Sequence, residues 1–225
     1  KKVRKVLNRK IIQLNDIIAD IDSLLTDLEV DFFRVSIFGS ARLQPESELY
    51  KEVHDLAYSL ALKGVDIVTG GGPGLMDAAN KGAKAGGKKT RSIGLPIQLP
   101  YETSTNAHLD VKRHHKRFSS RLDEFMRISH AVVVTPGGIG TLLELFYTWQ
   151  LIQVGHINPR PILLLGKEKM WSQLMDWVRK WPLELELVSP EDLDHLKICP
   201  SIKICVEQLE PTLEAFRRQK SKRST

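Results

Sequence analysis

Two cysteines in 225 residues, Cys199 and Cys205, exclude a disulfide framework, and their spacing suits neither a metal site nor a redox pair. No uninterrupted apolar stretch approaches the roughly 20 residues that span a bilayer. The basic N-terminus lacks the apolar block and cleavage site of a secretory signal. The chain opens on Lys1 rather than Met, so it is expected to be a trimmed form. A soluble protein in a reducing, cytoplasmic setting, without a membrane partner, is the expectation. Two nucleotide motifs are also missing. Read from Gly70, the sixth position of a Gly-x-Gly-x-x-Gly fingerprint is Leu75, and from Gly138 it is Leu143. No Gly-x-x-x-x-Gly-Lys-Ser/Thr stretch occurs, which excludes a nucleoside triphosphatase loop.

Nor is there a basic body to match the net charge of +6. Six Lys or Arg fall in residues 1–10 and five in 217–225, with no acid in either stretch. The other 22 basic residues stand against 27 acidic ones, so the excess sits on the two ends. Such ends read as solvated tails, and nucleic acid is not an expected partner of the body.

What is present begins with a hydrophobic fraction of 42%, enough for a sizeable core. Residues 7, 11, 14, 18, 21, 25 and 28 are Leu, Ile, Leu, Ile, Ile, Leu and Leu. That four–three spacing predicts one apolar stripe on a long N-terminal helix over residues 1–30. Such a helix packs back on the body or meets a copy of itself.

From residue 33, short apolar runs alternate with amphipathic segments. The runs are 33–38, 65–69, 90–95, 131–135, 161–165 and 195–199; helical patterns lie near 46–63, 75–86, 113–128, 141–154, 169–180 and 202–219. Gly64 stands where a helix stop is expected. Strands that stay apolar without alternation, separated by helices, predict an α/β fold: a doubly wound, Rossmann-like parallel sheet with helices on both faces. Residues 31–219 form a single nucleotide-binding catalytic domain in this reading, and 220–225 a basic tail. Trp171, Trp177 and Trp181 fall on or near one helix and read as packing.

In such sheets ligands bind beyond the carboxyl ends of the strands. Three loops there stand out: "FGSAR", with Gly39, Ser40 and Arg42; "TGGGPGLM", with Gly71 and Gly72; and "TPGGIGT", with Gly137, Gly138, Ile139, Gly140 and Thr141. In the last two, glycines lie between a strand end and the first turn of a helix. Backbone N–H groups there have no helical partners and the helix dipole is positive, so an oxyanion fits. Glu144 lies three residues after Thr141, awkward for an anion unless it has a task or a cationic partner. Arg121 is a candidate partner, as are Arg117 and Arg127. His114 and His115, beside Lys116, find no further metal ligands at matching spacing; a basic helix start or a phosphate contact is the expectation. Ser40 lacks the Gly-x-Ser-x-Gly elbow of a nucleophile and reads as a ribose or phosphate contact.

"PGGIGTLLE", Pro136 to Glu144, resembles at every specified position the PGGxGTxxE motif of the Lonely Guy family of phosphoribohydrolases. "GGGPGLM" and "FGSAR" are similar to that family's other loops, and its motif arginine, one helix earlier, falls on Arg121, 23 residues before Glu144. The resemblance covers roughly residues 33–200. It implies hydrolysis of the N-glycosidic bond of a nucleoside 5′-monophosphate to free base and ribose 5-phosphate, with Arg121 and Glu144 catalytic and no metal or cofactor. It also implies Glu102, in "LPYETSTN", as a base or ribose contact, and active sites near the interface of a homodimer or higher oligomer. Leu122 and Gln150 stand where cytokinin-activating members have lysine and threonine, which favours AMP or a related purine monophosphate over a cytokinin riboside monophosphate. Some relatives are labelled lysine decarboxylases; the glycine loops hold no lysine placed for pyridoxal phosphate. A nucleotide or phosphorylated-cofactor carrier on the same fold is the alternative, and Glu144 with Arg121 separates the two.

Overall fold

The computed structural model describes residues 32–87, 89–97 and 105–223, together with Val6, Leu7, Lys10, Ile11, Leu14, Ile18 and Ile21. The chain divides into a unit of residues 1–32 and a body of residues 33–225. In the first unit, the seven described residues of 1–31 are helical and exposed.

Seven parallel strands build one sheet in the body: β1 (Arg34–Phe38), β2 (Asp66–Thr69), β3 (Ser92–Gly94), β4 (Val111–Lys112), β5 (Ala131–Val134), β6 (Ile162–Leu165) and β7 (Leu196–Cys199). Their order across the sheet is β4-β3-β2-β1-β5-β6-β7. The chain thus winds outward from β1 in one direction, returns, and winds outward from β5 in the other. The reversal lies between β1 and β5, where Val35 pairs with Ala131 and Phe38 with Val134. Loops leaving two such neighbours diverge to opposite faces and open a crevice between them.

Helices α1 (Glu48–Leu62), α2 (Leu75–Gly86), α3 (Phe118–Ile128), α4 (Ile139–Gln153), α5 (Glu168–Val178), α6 (Pro190–Leu193) and α7 (Ile202–Arg223) connect or follow the strands. Successive side chains of a strand point to opposite faces, so an unbroken apolar run feeds two cores at once. In β5, Ala131 and Val133 join Leu56, Leu60 and Leu209 on the face of α1, α2 and α7. Val132 and Val134 join Phe125, Leu145 and Trp171 on the face of α3, α4 and α5. Ser47 caps α1 by accepting from the Tyr50 N–H at 3.2 Å, and Gly64, at φ +80°, follows its end as expected.

Three boundaries differ from the sequence expectation. Residues 113–117 are not helical, because the chain extends β4 alongside β3: Arg113 N–H donates to Gly94 O and His115 N–H to Pro96 O. Helix α3 starts only at Phe118. Helix α4 starts at Ile139, two residues early, with Gly138 as its N-cap. At the other end α7 continues to Arg223, past the helical pattern expected to end near residue 219. Trp171 is fully buried, its indole N–H donating to Leu165 O, whereas Trp177 and Trp181 are exposed.

Candidate active site

The loops after β1, β2 and β5 meet at one cavity of about 1010 Å³, at the upper end of the usual range for small-molecule sites. Its wall includes Gly39, Ser40, Gly71, Gly72, Gly138, Ile139, Gly140, Thr141, Arg121 and Glu144, brought together from four stretches of sequence. Gly137 does not line it. Glu102 lies outside the described residues.

The loops are pinned to one another. Ser40 N–H donates to Pro136 O at 3.2 Å, tying the first loop to the third, and Leu75 N–H donates to Ser40 O at 2.8 Å, tying it to the second. Gly74, at φ +69°, holds a backbone shape that side chains resist, and a Cβ there would run into Ala41. The second loop is braced from beneath by a buried polar chain. Thr69 Oγ1 donates to Asn80 Oδ1, Asn80 Nδ2 donates to Ser92 Oγ, and Asn106 Nδ2 donates to both Asn80 Oδ1 and Gly72 O. Every member has a partner, so the chain fixes the loop without an orphaned group.

The glycines divide by what surrounds them. A Cβ at Gly137 would overlap Thr141 Oγ1, and one at Gly70 would overlap Arg121 Nη2. Those two are glycine because protein atoms fill the space. Gly138 and Gly140 are different: a Cβ on either meets nothing within 4 Å, and neither has a positive φ. The protein does not require glycine there. Both line the cavity at the N-terminus of α4, where unpaired N–H groups and the helix dipole favour an anion.

Glu144 and Arg121 face each other across this floor, Arg121 Nη1 to Glu144 Oε1 at 3.5 Å, each side chain 12% exposed. Arg121 is held by its Nε–H donating to Leu95 O at 2.7 Å, with its guanidinium 5.3 Å from the Phe125 ring centroid. The other two arginines considered are not the partner. Arg127 pairs with Glu124, and Arg117 is the exposed residue preceding α3. Burial pushes the Glu144 carboxyl up to about 7, while the Arg121 charge pulls the other way. A carboxyl so placed is poised to exchange a proton near neutral pH.

Of the outer wall, the sequence points to His114 and His115, beside Lys116, as a basic helix start or a phosphate contact, and gives no sign of Ile97 or Phe118. His114, His115 and Lys116 line the cavity from the extended segment, and Phe118 and Ile97 add apolar surface beside them. The adjacency of two His and a Lys was visible; their position beyond β3 was not. Burial lowers the His115 pKa, which favours the neutral ring. Leu122 is buried in α3 and Gln150 is exposed on α4, and neither lines the cavity. Among the described residues no cluster of three His, Cys, Asp or Glu could hold a metal ion, and no helix is long and apolar enough to cross a membrane.

A family model described as possible lysine decarboxylase matches residues 76–209. The chain is 27% identical over 199 residues to a cytokinin riboside 5′-monophosphate phosphoribohydrolase of Arabidopsis thaliana, covering 88% of this chain and 92% of that one. It is 32% identical over 123 residues to a pyrimidine/purine nucleotide 5′-monophosphate nucleosidase of Escherichia coli (strain K12), covering 49% of this chain and 26% of the relative. Among solved structures, the molybdenum cofactor carrier protein of Chlamydomonas reinhardtii superposes with a TM-score of 0.59 at 18% identity, over 81% of this chain and 99% of that one. That last likeness shows the fold alone.

Proposed function

The chain belongs to the Lonely Guy phosphoribohydrolase family, whose model is described as possible lysine decarboxylase, and we propose that it hydrolyses the N-glycosidic bond of a nucleoside 5′-monophosphate to free base and ribose 5-phosphate. One observation carries the reading: two glycines that no protein atom demands sit at a helix N-terminus one turn from a buried carboxyl. The 5′-phosphate occupies the N–H groups of residues 138–141, and Thr141 adds a hydroxyl. Anchoring that end sets the ribose against Glu144, so remote binding energy serves the reacting carbon.

The bond from C1′ to the base breaks with its electron pair leaving on the base, and positive charge grows on the sugar. Ionised Glu144 stabilises that charge and takes a proton from the water that attacks C1′; the proton ends on the departing base. Arg121 favours the ionised carboxyl against the pull of burial and aims it. AMP or a related purine monophosphate is the favoured substrate, and the reaction belongs in the cytoplasm, where such nucleotides are made and used. Exposed Ile139, Leu143 and Phe146 share one side of α4, with Phe118 also exposed at the cavity rim, which supports a homodimer through this face. Glu102 is retained as a base or ribose contact.

A carrier would use the same nest but has no task for Glu144. The test is incubation with AMP, GMP, CMP, UMP and adenosine, followed by chromatography for free base. Adenine from AMP, with little from adenosine, is expected; Glu144→Gln and Arg121→Ala abolish most of it. Tight AMP binding without any free base would instead establish the carrier.

A further inference from the structure

The chemistry proposed above calls on no residue of 1–31, yet their pattern is specific. Leu7, Ile11, Leu14, Ile18 and Ile21 occupy alternating a and d positions of a heptad repeat that the sequence continues to Leu25 and Leu28. These five are helical and between 49% and 58% exposed. A row of large aliphatic side chains that open to water is a surface awaiting cover.

Charge indicates what covers it. Residues 1–10 hold six Lys or Arg and no acid; residues 16–31 hold six Asp or Glu and no base. A helix prefers the reverse, acids toward its positive N-terminus and bases toward its C-terminus. The gradient is therefore unfavourable for any single helix that carries both stretches, and it finds its complement outside such a helix. A parallel pair of such helices sets like charge on like along its whole length. An antiparallel pair sets the basic end of each against the acidic end of the other.

We propose that this helix pairs antiparallel with the same helix of a second copy of the chain. In that register an a residue faces a d residue: Ile11 meets Ile21 of the second copy, and Ile18 meets Leu14 of the second copy. The contact is two-fold symmetric, uses none of the α4 face, and joins chains or dimers into a larger assembly.

Light scattering on the full chain and on Leu14→Asp and Ile18→Asp is the first measurement. The variants are expected to show a molar mass one half of the parent's or less, with the thermal transition of the body unchanged. Ile11→Cys and Ile21→Cys chains then test direction. Mixed and oxidised, they form a crosslinked dimer that neither forms alone, since like positions lie about 15 Å apart along an antiparallel pair. Crosslinking of each variant with itself indicates a parallel pair and overturns the proposal. So does a molar mass that both Asp variants leave unchanged, which assigns the stripe to another partner. Neither outcome bears on nucleotide hydrolysis.

Discussion

Gly138 and Gly140 separate a nest shaped for a ligand from a turn shaped for packing. Gly138→Ala and Gly140→Ala meet no protein atom, so both are expected to melt near the parent temperature. Their KM for AMP should rise about tenfold or more, a loss of about 1.4 kcal/mol of binding, as the methyl groups crowd the phosphate. Gly137→Ala should instead lose about 1–3 kcal/mol of stability by overpacking against Thr141, whereas Gly70→Ala pushes aside the tip of Arg121 and is expected to lower turnover more than stability. Melting curves and initial rates on the four variants check the division. Glu144 carries a pH signature. With its carboxyl near 7, kcat/KM is expected to rise with pH through that value and level off above it. Glu144→Gln should cost about 10²–10⁴-fold and remove the rise. Between about 4.5 and 7 the folded chain holds a proton that the unfolded chain releases, so this group's contribution to stability falls as pH rises through that window. The Gln variant escapes that loss. It should be more stable than the parent at pH 8, by on the order of 1–3 kcal/mol, and not at pH 4.

Helix α4 unites three tasks in 15 residues: its first turn offers N–H groups, its second carries Glu144, and its outer side shows Ile139, Leu143 and Phe146. Ile139 is 83% exposed and also lines the cavity, so a subunit docked on this face would cover the mouth of the site. Leu143→Asp and Phe146→Asp are expected to break the proposed α4 contact and to lower kcat/KM together. Sedimentation and AMP hydrolysis measured at matched concentrations test the link; smaller particles with full activity would separate assembly from catalysis. The early start of α4 also places Ile139 and Gly140 inside the first turn, where their N–H groups point along the helix axis toward the cavity. The extended segment of residues 113–115 does the corresponding service on the other rim, holding His115 beside Ile97 by strand-like pairing.

Across the whole chain the net charge of +6 misleads if it is averaged, because the basic excess sits at the ends and the cavity is assembled by the body. A chain trimmed to residues 31–219 is therefore expected to keep AMP hydrolysis within about twofold, a difference of about 0.4 kcal/mol in barrier. Loss of turnover on trimming would assign the ends a part in the site. The cavity itself depends on the reversal of strand order between β1 and β5, which lets loops separated by about a hundred residues meet at Ser40 and Pro136.

Period and composition are local, and what they govern could be read along the chain. Runs such as 131–135 and 161–165 announced strands buried on both faces, and all six longer strands fall within the expected runs. The glycine loops and the 23-residue interval from Arg121 to Glu144 were equally legible, since each is a matter of residue type and spacing. Two-residue β4 was not, because a pair of residues has no periodicity and its conformation comes from pairing with β3. His115 and Lys116 reached the cavity wall by that same pairing. Nor could the sequence tell which glycines the protein needs and which it leaves for a ligand, or raise Glu144 to about 7. Those properties arise from burial and contact between segments distant in the chain, and they exist only once the sheet has closed around them.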